Sequence, residues 1–245
     1  MKTKITKEFI NSGEFSKLIT KVPKIIKKHL SNGQYFPTPS EKSNIFLHHT
    51  AGMTAAGAWG WWEQTPDQIG VPYIIDRNGD IFECFDPKSW AYHLGVKGQA
   101  HDDEKFSIGI EIVAAGHLYG EHKNMFMPLY PNTTSAKEIP ADDICVLEKP
   151  FVGNINYHAY SDEQIISLCQ LLGQIKVEYP QIPFPKEFTT AMLEYDPKNI
   201  EAMTKGVLKG IYGHHSVRAD KDDLFPQPNL IMALDALMKS YTSKA

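Results

Sequence analysis

The sequence predicts an α/β (α+β) fold, a central mixed β-sheet flanked by helices. Three observations predict it. Short apolar, β-rich runs cluster in the first half, at "NIFLHHTAG", "VPYIIDRNGDIFECF" and "FSIGIEIVAAG". Two long segments with helical periodicity, "SDEQIISLCQLLGQIKVEY" and "PQPNLIMALDALMKSY", come later. Strands come early, while helices interleave and close the chain, as in layers packed on one sheet. With 245 residues, one core can bury most of the apolar surface, so one main domain is expected.

Residues 1–40 read as a basic helical leader. Ser12 caps a helix through "GEFSKLITKVPKIIKKHL", where Phe15, Leu18, Ile19, Ile25, Ile26 and Leu30 recur at helical spacing and Pro23 kinks or splits it. The first thirty residues carry eight lysines against two glutamates. Such a run is a solvated face or a contact for an anionic surface. Residues 41–245 form the main domain. "NIFLHH" is a strand, and "AAGAWGWWEQ" a helix. The next two β-rich runs form a hairpin whose Asn78-Gly79 supplies positive φ angles. "FSIGIEIVAAG" is another strand. Polar, weakly patterned insertions occupy about 117–160 and 183–208. Between them, Ser161 and Gln164 form a capping box ahead of the stripe Ile165, Leu168, Leu172 and Ile175.

The formal net charge of -4 argues against a global nucleic-acid binder. Cys84, Cys145 and Cys169 are widely spaced and form no CxxC, which argues against a disulfide framework or a cysteine zinc knuckle. "MKTK" leads into no apolar run, and no segment approaches the roughly 20 apolar residues of a membrane span. The expectation is cytoplasmic synthesis without a signal peptide or transmembrane segment, with access to a cell wall only after release.

"IYGHHSVRADKDDLFP", from Ile211 to Pro226, concentrates histidine, lysine and aspartate and reads as half of a metal site. A hydrolytic zinc site needs three protein ligands and an open position. Of the ten histidines, His29, His101, His117, His122 and His158 fall in the leader or in polar stretches and read as exposed loop residues. His48 and His49 end an apolar strand, where a side chain is held rigidly yet meets solvent. Alternation puts His48 on the face of Phe46 and His49 on that of Leu47. One of the pair is expected to be a ligand and the other packing or support.

In order, "IFLHHTAG", "VPYIIDRNGDIFEC", "WAYHLG", "SIGIEIV" and "GHHSVRADKDD" resemble the zinc-dependent N-acetylmuramoyl-L-alanine amidases, the superfamily of phage lysozyme-type amidases, cytosolic recycling amidases and peptidoglycan recognition proteins. The resemblance spans about residues 44–116 and 161–240 and leaves out the leader and the insertions. It implies a sheet packed by helices with a single zinc in a surface groove. It implies His48, His214 and Asp223 as metal ligands, one Zn2+ per chain, and peptidoglycan or a muropeptide as substrate. Asp222 rivals Asp223, although choosing it would leave Asp220 in the place of the family's catalytic lysine, matched by Lys221. Glu111 matches the family's acidic catalytic residue. Val71 stands where one branch has a tyrosine, which argues for the glutamate branch. His93 matches a histidine lining the substrate groove, or is a hydrogen-bonded structural residue. Trp59, Trp61 and Trp62 read as core or as the lining of a sugar-binding groove, and Trp61, off the helical face shared by the other two, is the more exposed candidate for a sugar contact.

The chemistry suits these residues. Zinc lowers the pKa of a bound water toward roughly 7 and polarises the amide carbonyl. Glu111 would accept the water proton and return it to the leaving amine, and Lys221 would stabilise the oxyanion. The expected function is hydrolysis of the amide between N-acetylmuramic acid and L-alanine, in an endolysin-like, wall-lytic role. The alternatives are a recycling amidase, a delivered toxin, a non-catalytic recognition module that has lost a ligand, or a structural zinc site closed by four ligands.

Overall fold

The computed structural model describes residues 4–96, 102–121, 124–126 and 138–242. Short helices α1 (Lys7–Ile10) and α2 (Gly13–Ile19) open it. They are followed by β1 (Ile25–Lys27), β2 (Asn44–His49), α3 (Ala55–Trp62), β3 (Tyr73–Ile75), β4 (Ile81–Glu83) and β5 (Ser107–Ile112). Two hairpins, β6 (Tyr119–Glu121) with β7 (Asn124–Phe126) and β8 (Ile144–Phe151) with β9 (Asn154–His158), precede α4 (Asp162–Glu178). Then come α5 (Pro197–Thr204), β10 (Gly210–Gly213) and α6 (Pro228–Thr242).

The main sheet is mixed, with strand order β1-β4-β3-β5-β2-β10. Only β3 and β4 pair antiparallel. Every residue of β2 is buried, as expected of a central strand covered on both faces. On one face Ile45, Leu47, Ile108, Ile110 and Ile112 join Phe15, Leu168, Leu172, Leu234 and Leu237 of the helices in the largest core. The other face carries Phe46, His48, Gly109 and Glu111, and Leu94 of the loop before β5, Val71 ahead of β3 and Trp62 of α3 pack beside it. That second face holds the site.

Ser161 Oγ accepts the Gln164 N–H, and Gln164 Oε1 accepts the Ser161 N–H, so the capping box forms. The Gln164 amide also donates to the Ile75 and Val113 carbonyls, which ties α4 to the sheet.

Three local expectations differ. The helix expected through Leu30 stops at Ile19. Pro23 bars its continuation, and Ile25–Lys27 pairs with β4 at the sheet edge. In the β3–β4 turn only Gly79 has positive φ, +86°. Asn78 instead accepts the Asp80 N–H with its side chain, a local turn that needs no left-handed backbone. The first insertion supplies β8–β9, whose Leu147, Phe151 and Tyr157 enter the main core. Exposed Val146 and Ile155 blur its period, so the sequence pattern is weak. His101, His122 and residues 127–137 of that insertion lie outside the described residues.

Candidate metal centre

Three adjacent strands align the site. In the register, Gly213 of β10 lies opposite Leu47 of β2, so His214 follows at the level of His48. His48 in turn pairs with Glu111 of β5. Partners in a parallel register share a face, so His48 and Glu111 project together from the C-terminal end of the sheet. Gly213 is tightly enclosed: a Cβ would stand 3.0 Å from Leu193 Cδ2 and 3.1 Å from the Leu224 nitrogen. The chain therefore packs closely where it turns into His214.

His48, His214 and Asp223 are 2%, 5% and 6% exposed. Their donor atoms converge. His48 Nδ1 lies 3.1 Å from His214 Nδ1, and Asp223 Oδ2 lies 3.0 Å from each. Together they could hold a metal ion. Asp222, the rival ligand, points elsewhere: Oδ2 lies 2.7 Å from His117 Nδ1, and Oδ1 3.5 Å from His49 Nε2.

The far side of each imidazole fixes which nitrogen is free. His214 Nε2–H donates to the Leu94 carbonyl at 2.8 Å, leaving the Nδ1 lone pair for a metal. His48 Nε2 faces His93 Nδ1 at 2.9 Å, His93 Nε2 faces Ser107 Oγ at 2.6 Å, and Ser107 Oγ–H donates to the Glu104 carbonyl at 2.5 Å. One proton direction satisfies this chain, with His48 donating from Nε2 to His93 and His93 donating from Nε2 to Ser107. His48 Nδ1 is then also a free lone pair. The buried Glu104 carboxylate accepts the N–H groups of His93, Leu94 and Gly95 and holds the loop that supplies both supports. Arg218 braces the same loop, donating to the Leu94 and Gly95 carbonyls while gripping Asp220 with two hydrogen bonds.

Burial holds the His48 imidazolium down to about 4 and pushes that of His93 well below its usual range, so both rings are neutral near pH 7. Burial works against the charge of Asp223, but the attraction of His214 and His48 keeps its carboxyl well below the carboxylate range. A metal held here would meet Nδ1 of each imidazole and an ionised carboxylate. Burial, and then the charge of Asp223, push Glu111 up to about 8. Its Oε2 is buried and has no hydrogen-bond partner among the described residues.

The remaining sequence candidates fall as follows. Lys221 sits on the ligand loop, half-buried, and its charge acts on Glu111. His93 lies behind His48 with both ring nitrogens engaged. Trp61 is 56% exposed on α3 and makes no hydrogen bond or ring contact with the group among the described residues. Sequence reasoning missed Glu104, Ser107, Tyr160, and the pairing of His117 and His49 with Asp222. One signal was available: adjacent histidines on opposite faces of a strand call for two partners, and Asp222–Asp223 supplies two.

The fold and the site define an α/β protein with a buried His–His–Asp donor set at the end of a mixed sheet, beside a glutamate whose buried Oε2 has no hydrogen-bond partner among the described residues. Residues 39–228 match the N-acetylmuramoyl-L-alanine amidase family, and the chain belongs to that family. Among solved structures, it is similar to the Staphylococcus aureus hydrolase AmiA in complex with its ligand, at 13% identity, 95% coverage of this chain and 93% of that chain, and a TM-score of 0.50. It is also similar to a selenomethionine AmpD derivative (16% identity, 85% and 93% coverage, TM-score 0.42). A third likeness is to Drosophila peptidoglycan recognition protein SD (16% identity, 89% and 94% coverage, TM-score 0.39). No curated protein sequence matches the chain significantly.

Proposed function

We propose that the chain is a zinc-dependent amidase that hydrolyses the bond between N-acetylmuramic acid and L-alanine in peptidoglycan. The observation that carries this reading is the triangle of His48 Nδ1, His214 Nδ1 and Asp223 Oδ2, with sides of 3.0–3.1 Å. Ligands at about 2.0–2.1 Å around tetrahedral zinc are separated by about 3.3 Å, so the triangle fits one face of that polyhedron. Three donors leave a fourth position open, as hydrolysis requires and a closed structural site does not.

When bound, zinc supplies a water of lowered pKa and polarises the amide carbonyl. The protein supplies the rest. In its ionised form Glu111 accepts the proton of the attacking water at Oε2 and delivers it to the leaving nitrogen. A buried carboxyl oxygen without a partner is costly, and a catalytic task accounts for it. Lys221 stabilises the negative charge that develops on the carbonyl oxygen. His93 and Ser107 keep His48 in the tautomer with Nδ1 free, and the Leu94 carbonyl does the same for His214.

A complete ligand set together with this glutamate favours catalysis over recognition alone. We place the enzyme as cell-wall lytic and endolysin-like. Glu111→Gln keeps the shape of the site and removes the base. It is expected to retain zinc while kcat falls about 10²–10⁴-fold. Metal content and turnover of a soluble muropeptide measure the two. Parental turnover in that variant removes Glu111 from the mechanism.

A further inference from the structure

We infer that His117 is a positioning residue for the metal centre, setting the ligand loop through Asp222 so that Asp223 faces His48 and His214. The inference rests on the metal-site reading above.

Asp222 and Asp223 are neighbours whose carboxylates go in opposite directions. Asp223 meets the two candidate ligands on one face of β2, while Asp222 meets His49 on the other face and His117 beyond it. Fixing one side chain of such a pair fixes the side to which its neighbour is presented. The short contact is to His117, at 2.7 Å, and the one to His49 is 3.5 Å. His49 is itself held, with its Nδ1 3.2 Å from the Tyr160 hydroxyl.

His117 is placed by main-chain bonds. On one side the His158 N–H donates to the Gly116 carbonyl at 2.9 Å, and on the other the Leu118 N–H donates to the Asn156 carbonyl at 2.8 Å. Both partners belong to β9. Gly116 lets the chain pass close to His49: it has φ +84°, and a Cβ there would stand 2.6 Å from His49 Nε2. The first polar insertion thus reaches the metal loop through one histidine that the proposed hydrolysis does not use.

The test is zinc affinity by competition with a chromophoric chelator, for the parent, His117→Ala and His117→Asn. Removing an outer partner of a metal site costs about 10–100-fold in affinity, and that loss is expected for His117→Ala. Asparagine places an amide N–H near where ring Nδ1–H stood, so His117→Asn is expected to recover most of it. A purely space-filling role would not distinguish the two variants in this way. His117→Ala binding zinc as tightly as the parent overturns the inference, and so do two equally weakened variants. A parent that binds no zinc overturns the metal-site reading itself and the inference with it.

Discussion

Asp223 and Glu111 bear the same functional group and are driven in opposite directions. Asp223 has two imidazoles to pair with, whereas Glu111 has burial and a like charge nearby. Two carboxyls pushed apart in this way suit different tasks, an ionised metal ligand and a proton-handling group, the roles proposed above. The division has a consequence for stability. In the metal-free protein Glu111 titrates near 8, against 4.5 for an unperturbed glutamate. Below pH 4.5 it is neutral whether the chain is folded or not, and it costs the fold no ionisation. Between the two values the unfolded chain ionises more readily, so stability is lost as pH rises and levels off above about 8. Glu111→Gln removes that loss. Thermal melts of metal-free parent and variant from pH 5 to 9 should diverge, with the variant gaining as pH rises. Parallel curves would show that Glu111 is not held in its neutral form.

At the scale of elements, β5 acts through close approach as much as through its glutamate. A Cβ on Gly109 would lie 2.4 Å from Val71 Cγ1 and 3.2 Å from His93 Nδ1. Gly109→Ala is therefore expected to cost about 1–3 kcal/mol of stability, the usual range for overpacking. Adding Val71→Ala should recover part of that loss. Denaturant titration of the single and double variants checks it, and strictly additive losses would show that the two residues do not compete for space. The elements that were legible in the sequence have one strong signal each. Examples are the β-rich apolar runs of β2 and β5 and the capping box of α4. β1 was not legible, because its two isoleucines also fit a helical stripe and only pairing with β4 decides between them. The candidate ligands were legible because each adjoins a strand end or a polar motif. Their supports were not, because Leu94 acts through its main-chain carbonyl and Glu104 binds main-chain N–H groups, and a main-chain partner leaves no trace in residue type.

At the scale of the whole molecule, the ligand segment from Gly213 to Asp223 is held from several sides. The loop before β5 holds it at the Leu94 carbonyl, which accepts from His214 and Arg218. The first insertion reaches it through His117 and through Phe151, whose ring lies 5.1 Å from that of His215. The second reaches it through the Asp196 N–H and the Asn199 amide, both donating to the Ser216 carbonyl. Preorganisation of this kind lets three donors meet within about 3 Å at the end of a sheet. The central claim is that this junction holds zinc for amide hydrolysis. The most direct test is metal analysis of the purified protein, combined with digestion of intact peptidoglycan and of soluble muropeptides before chelation, after chelation and after zinc add-back. The account predicts about one zinc per chain, as for a three-donor site with one open position. It also predicts new L-alanine amino termini from both substrates, lost on chelation and restored by zinc. A protein that binds no zinc, or that releases the same termini with the metal stripped away, would contradict it.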